Sequence, residues 1–173
     1  MKRLIGFSVF CTGMLAIAGL AFGQARDGNN EVLRGLDKVR VVVERLKAEI
    51  EQDGLFTSTL QTDMELKLAL AGIKVLSENE CEQIPCVADL YLYVDAFKQA
   101  NGYTYRIHLA LREPVVVLRK HMRAIGTTFR MHDELGMTEN LSEVREEARD
   151  LLDKFIEVWQ AVNPEKGKAE TRP

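Results

Sequence analysis

The stretch that most restricts how this chain can fold is Ala88–Arg119, ADLYLYVDAFKQANGYTYRIHLALREPVVVLR. In its first arm Leu90, Leu92, Val94 and Ala96 alternate with Tyr91, Tyr93, Asp95 and Phe97. In its second, Tyr103, Tyr105, Ile107, Leu109 and Leu111 alternate with Thr104, Arg106, His108, Ala110 and Arg112. A period of two is that of a strand with one face buried. Asn101-Gly102 between the arms is a hairpin turn signal, so the arms pair antiparallel. The apolar set must face helices, which leaves a second face of aromatics mixed with Arg and His. Pro114 lacks an amide proton and predicts a bulge or an edge position before Val115–Leu118 continues the strand.

The flanks supply the helices. Upstream, Val32, Leu36, Val39, Val43, Leu46 and Ile50 recur at helical spacing, while Val39, Val41 and Val43 alternate in a β-branched run that favours a strand. The strand is placed at about Lys38–Arg45, with Leu46–Gly54 a connection able to hold a helical turn. A helix capped by Thr57 or Ser58 follows, buries Leu60, Met64, Leu68 and Ala71, stops at Gly72 and delivers a short strand at Ile73–Leu76. Strand, helix and strand form a βαβ unit with a right-handed crossover if the strands are parallel neighbours.

Downstream, Ile125–His132 reads as another strand, so three successive antiparallel strands form a meander. Asp133–Glu139 reads as a polar loop, and Asn140 with Glu143 as a capping box. From Leu141 to Val162, Val144, Ala148, Leu151, Phe155, Val158 or Trp159, and Val162 share one face of a long helix ended by Asn163-Pro164. The fold class is therefore α+β in two layers, β-α-β-β-β-β-α, with a mainly antiparallel sheet and two helices on one face. The tail 165–173 is charged and poor in apolar residues, which predicts disorder.

Met1-Lys2-Arg3 followed by the uncharged run Leu4–Phe22 reads as a secretory signal peptide over residues 1–23, with Ala21-Phe22-Gly23 placing small residues for cleavage before Gln24. A cut after Ala21 or Ala25 also satisfies the rule. The competing reading is an uncleaved anchor, since the run approaches the ~18–20 residues that span a bilayer. Cys11 follows Phe10 deep in the run, against a lipoprotein signal. Cleavage predicts a periplasmic or secreted protein, without a stable membrane span, whose single α+β domain occupies residues 24–164.

The 173-residue chain carries a formal net charge of −3, and residues 1–23 hold Lys2 and Arg3 with no acid, so the remainder is near −5. Without a basic stripe, nucleic acid is not an expected partner. Cys81 and Cys86 then remain, and an oxidising compartment predicts a local disulfide, stabilising by only about 2 kcal/mol because its loop is short. Four intervening residues argue against a thioredoxin-type redox site, and no second cysteine pair completes a zinc site.

The segments DGLFTSTLQTDMELKLALAGIKVL at Asp53–Leu76, YTYRIHLALREPVVVLR at Tyr103–Arg119, the strand around Thr127-Thr128-Phe129 and the final FIEVWQAVNP at Phe155–Pro164 together resemble a group of small exported bacterial proteins of unknown function. The resemblance covers most of the chain after the export segment. It implies a strand at Val39–Leu46, and it carries no activity, because its motifs are those of packing and capping. Similar sequences more often have Trp where this chain has Phe129.

No nucleophile elbow, cysteine–histidine pair or phosphate-binding glycine loop is present, so no catalytic residue is assigned and no cofactor is expected. The acids of Glu143–Asp153 interleave with Arg145, Arg149 and Lys154 as a solvated helix face. The candidate binding surface is Tyr91, Tyr93 and Phe97 with Arg106, His108 and Arg130, suited to a partner protein, an envelope glycan or a dimer mate. Against it stands simple packing of Phe97 and one tyrosine under a neighbouring segment. His121, His132 and Asp133 are a weaker alternative as metal ligands, their spacing matching no zinc motif. The sequence thus favours a non-catalytic exported binding protein over a small ligand or metal binder, and either over a hydrolytic enzyme.

Overall fold

The computed structural model describes residues 30–83 and 88–164. The segment read as a signal peptide, the charged tail and Cys86 lie outside these residues. A 3-10 turn at Asn30–Leu33 leads into β1 (Lys38–Val43), α1 (Ala48–Gln52), α2 (Thr57–Leu70), β2 (Lys74–Val75), α3 (Glu78–Gln83), β3 (Ala88–Gln99), β4 (Gly102–Val117), β5 (Met122–Arg130), β6 (Glu134–Thr138) and α4 (Leu141–Val162). The fold is α+β.

The sheet runs β2-β1-β3-β4-β5, with β6 also paired to β4. β1 is parallel to β2 and to β3, as a βαβ crossover requires, and the remaining pairings are antiparallel. The β3–β4 hairpin pairs Gln99 with Gly102 and continues to Asp89 opposite Arg112. β3 has then ended, so Pro114 sits where β4 has a strand on one side only, paired to Ile125. The bulge lies slightly earlier, at Leu111/Arg112. The long strand β4 is shared end to end: Tyr103–Ile107 pair with β6, and Ala110–Val117 with β5.

One face of this sheet is core. Val39 and Val41 of β1, Leu90, Leu92, Val94 and Ala96 of β3, and Tyr105, Ile107, Leu109 and Leu111 of β4 are buried together with Leu60, Met64 and Leu68 of α2. From α4 come Leu141, Val144, Ala148, Leu151, Leu152, Phe155 and Trp159. Each large side chain so buried contributes about 1.5–3 kcal/mol. Phe155 meets Phe129 of β5 edge to face at 5.9 Å between ring centroids, a geometry that aromatic pairs favour. The choice between Val158 and Trp159 falls to Trp159, which is wholly buried and donates its indole N–H to the Leu36 carbonyl at 2.8 Å.

Local expectations differ from the structure in four places. β6 occupies the segment read as a polar loop. Its outward residues are Leu135 and Met137 and its inward ones Gly136 and Thr138, so its alternation is the reverse of a core strand. Gly136 is required there, since a Cβ would stand 2.4 Å from the Tyr105 hydroxyl oxygen. α3 was also unforeseen, although Ser77-Glu78-Asn79-Glu80 is a capping box: Glu80 accepts from the Ser77 N–H and hydroxyl at 2.9 Å each. Those two bonds and Lys74 pull the Glu80 carboxyl down to about 2.

Capping is the third difference. Neither Thr57 nor Ser58 caps α2. The cap position is Phe56, and the Glu51 carboxylate of α1 takes the Thr57 N–H at 3.2 Å and its hydroxyl at 2.7 Å. Asn140 does cap α4, accepting from Ser142 N–H, but Glu143 accepts from the Thr138 hydroxyl while that oxygen takes the Asn140 N–H. The reciprocal bond of a capping box is thereby routed through β6. The fourth difference concerns the expected disulfide. Cys81 is a free thiol, held on α3 by its N–H bond to the Ser77 carbonyl. The helix fixes this cysteine without a crosslink.

Candidate functional site

Strand alternation sends the residues between the core positions of β3 and β4 to the opposite side of the sheet. Cross-strand pairing sets Tyr91 beside Ala110, Tyr93 beside His108, Asp95 beside Arg106 and Phe97 beside Thr104. β5 adds Arg130 opposite Ala110, and β1 adds Val42 beside Tyr91 and Arg40 beside Asp89. Tyr91, Tyr93, Phe97, Arg106, His108 and Arg130 therefore share one face, and α2 and α4 are both packed on the other.

The centre of the face is made by the break between β5 and β6. β5 ends with Arg130 and β6 begins with Glu134, so Asp133 is carried back against β4. Its carboxylate accepts from Arg106 Nε at 2.8 Å and stands 2.8 Å from His108 Nδ1. The imidazole and then the guanidinium hold the Asp133 carboxyl below its ordinary range. Asp133 and His108 are mostly shielded and Arg106 half-exposed, so the trio presents its guanidinium outward. Among the described residues His108 meets Asp133 and no Ser, Thr or Cys hydroxyl or thiol.

Toward one end, the Tyr91 hydroxyl donates to Glu44 and the Arg112 guanidinium lies 3.5 Å above its ring. Burial, then the Glu44 carboxylate, raises the Tyr91 phenol above its usual value. Arg40 forks onto Asp89 with two bonds of 2.8 Å. Toward the other end Lys47 bonds Asp95 at 2.8 Å and stands 3.2 Å over the Phe97 ring, which stays 48% exposed.

Asp133 thus answers Arg106 and His108, while Asp89 answers Arg40, Asp95 answers Lys47 and Arg130 stays exposed. The face is an array of aromatic rings between matched ion pairs. Alternation in β3 already places Asp95 on this face, and Asp89 shares its parity, whereas Glu44 and Asp133 reach it from outside β3 and β4, where no periodicity announces them. Tyr91 is engaged by its neighbours, whereas Phe97 and Arg130 are exposed. Phe97 is therefore not packed beneath another segment.

The metal alternative loses its geometry. His121 sits in the turn before β5 and His132 follows the end of that strand, roughly 30 Å away at the rise of an extended chain. Asp133 is already committed to Arg106 and His108. No cluster of His, Cys, Asp and Glu suited to a metal ion occurs among the described residues. No helix among them is long and apolar enough to cross a membrane.

By sequence the chain matches no family model and no curated protein. Among solved structures it is similar to the dodecamer of a PelC variant from Paraburkholderia phytofirmans, at 14% identity, covering 72% of this chain and 88% of that one, with a TM-score of 0.40. It is also similar to a homolog of a neuraminyllactose-binding hemagglutinin from Helicobacter pylori, at 11% identity, covering 80% and 91%, with a TM-score of 0.34. Likenesses this distant carry no argument about function, which rests on the geometry of the face.

Proposed function

We propose that this is a non-catalytic exported protein that binds an envelope component, a partner protein or a glycan, through the open face of β3 and β4. The observation that carries the reading is the division of labour across the sheet: both long helices cover the core side, while the other side offers Tyr93 and Phe97 between paired charges. Aromatic rings give apolar contact at little conformational cost, and the flanking pairs Arg106–Asp133 and Lys47–Asp95 provide donors and acceptors fixed in place. Such a surface suits a ligand with alternating apolar and hydroxyl faces. Export rests on the Met1–Gly23 segment, and membership of the group of small exported bacterial proteins on the four stretches that resemble it.

The test replaces Tyr93 and Phe97 with Ser, sparing Tyr91 because its ring is tied into the sheet. Binding is measured to an array of bacterial envelope glycans and to solubilised envelope fractions. Loss of binding with an unchanged melting temperature is expected. Undiminished binding by the doubly substituted protein would exclude this face.

A further inference from the structure

β4 and β5 continue past the end of β3 as a two-stranded ribbon, Glu113–Val117 against Met122–Gly126, and none of its side chains belongs to the core. An isolated ribbon in water is marginally stable, yet this one is apolar on both faces. Val116 is 55% exposed, Leu118 79%, Met122 50% and Ile125 67%. Beyond Glu113, which accepts from the Thr128 hydroxyl, every charge on the ribbon and its turn is a cation. From Pro114 to His132 there is no acid, while Arg119, Lys120 and Arg123 are exposed and take part in no ion pair among the described residues. In a chain with net charge −3 this is a strong local reversal of sign.

We infer that the β4–β5 ribbon docks the protein on an anionic lipid surface, with Leu118 and Met122 at the acyl boundary and Arg119, Lys120 and Arg123 on the headgroup phosphates. A fluid apolar medium covers both faces of a ribbon at once, which a protein groove does not. Long cationic side chains can lay their stems in that medium and keep their charges at the phosphates. A second copy is disfavoured as the occupant, because a two-fold contact would set these cations against their own images. The contact is peripheral and is separate from the aromatic face.

The experiment introduces Leu118→Trp into the full chain, whose own single tryptophan, Trp159, is buried and tied to Leu36. The reporter sits on the ribbon, so membrane contact by residues 1–23 does not register in it. Vesicles of phosphatidylcholine, with or without phosphatidylglycerol, are titrated in. Blue-shifted emission on the anionic vesicles, weak on the neutral ones and reversed by salt, is expected. Replacing Arg119, Lys120 and Arg123 together by Ala in the same background should weaken binding roughly 100-fold, about fivefold per cation. A reporter that stays water-exposed on anionic vesicles overturns the inference, as does an equal response to neutral ones. A shift present without lipid and rising with protein concentration overturns it in favour of a second copy.

Discussion

Asn163 ends α4 in the sequence and, in the structure, joins the two ends of the described chain. Its side chain is buried; Oδ1 accepts from the Gly35 N–H at 2.8 Å, and Nδ2 donates to the Leu33 and Trp159 carbonyls at 2.9 Å each. Asn163→Ala removes all three bonds. Gly35 is exposed, so water can replace its lost partner, but the Leu33 carbonyl belongs to a wholly buried residue and is left without that donor. One ordinary bond lost to water at about 1 kcal/mol, and one buried acceptor stranded at about 1–3 kcal/mol, give an expected loss of about 2–4 kcal/mol. For a chain of this size that lowers the melting temperature by roughly 5–10 °C. Urea unfolding followed by Trp159 emission measures it directly, since the only tryptophan lies one helical turn before Asn163 and bonds to Leu36 in the same N-terminal segment. A shifted midpoint with an unchanged slope is expected. A variant within 0.5 kcal/mol of the parent, a margin ordinary for surface substitutions, would refute the claim that this clamp holds the N-terminal turn to the core.

Two further outcomes follow from single contacts. Arg145 forks onto Asp63 across α2 and α4 at 2.6 and 2.9 Å, and its guanidinium holds the Asp63 carboxyl below the ordinary range. Because that pKa is depressed on folding, the stabilisation is present above the unfolded value of about 3.9 and is lost as pH falls through the folded one. Asp63→Asn should therefore cost about 1 kcal/mol at neutral pH, with the gap to the parent closing in acid, as urea titrations across pH would show. A gap constant with pH would remove the charge from the explanation. Gly102 has a φ of +130°, and a Cβ there would stand 2.2 Å from the Thr138 carbonyl oxygen. Gly102→Ala should cost about 2 kcal/mol or more by the same assay, with faster amide exchange in β6; a neutral result would mean that β6 moves aside without loss.

The aromatic face was readable from the sequence because alternation in β3 and β4 is a local property: once Leu90, Leu92 and Val94 are inward, Tyr91 and Tyr93 must be outward. What occupies the space around them is not local. Asp133 meets Arg106 and His108 from 25 or more residues away, by a break between strands that no periodicity marks, and Glu44 reaches Tyr91 from β1's far end. The surface that reads as basic consequently has Arg106 and His108 held by Asp133 and keeps Arg130 exposed. The metal reading failed for the converse reason, since His121 and His132 are close in sequence terms only if the segment between them is a turn, and it is a nine-residue strand.

What the sequence determined by itself is the class of fold and the sidedness of its sheet. A period of two in Leu90–Ala96 and Tyr103–Leu111, and a period near 3.6 in Val144–Trp159, commit each segment to one geometry and one buried face before any partner is known. Only the tertiary structure decided the parallel placement of β1 between β2 and β3, the sharing of β4 by β5 and β6, and the projection of the β4–β5 ribbon beyond the core. β6 shows why: with Gly136 and Thr138 inward and Leu135 and Met137 outward it buries no apolar side chain of its own. The free edge of β4 and the Tyr105 ring, which leaves room for no Cβ, make it a strand.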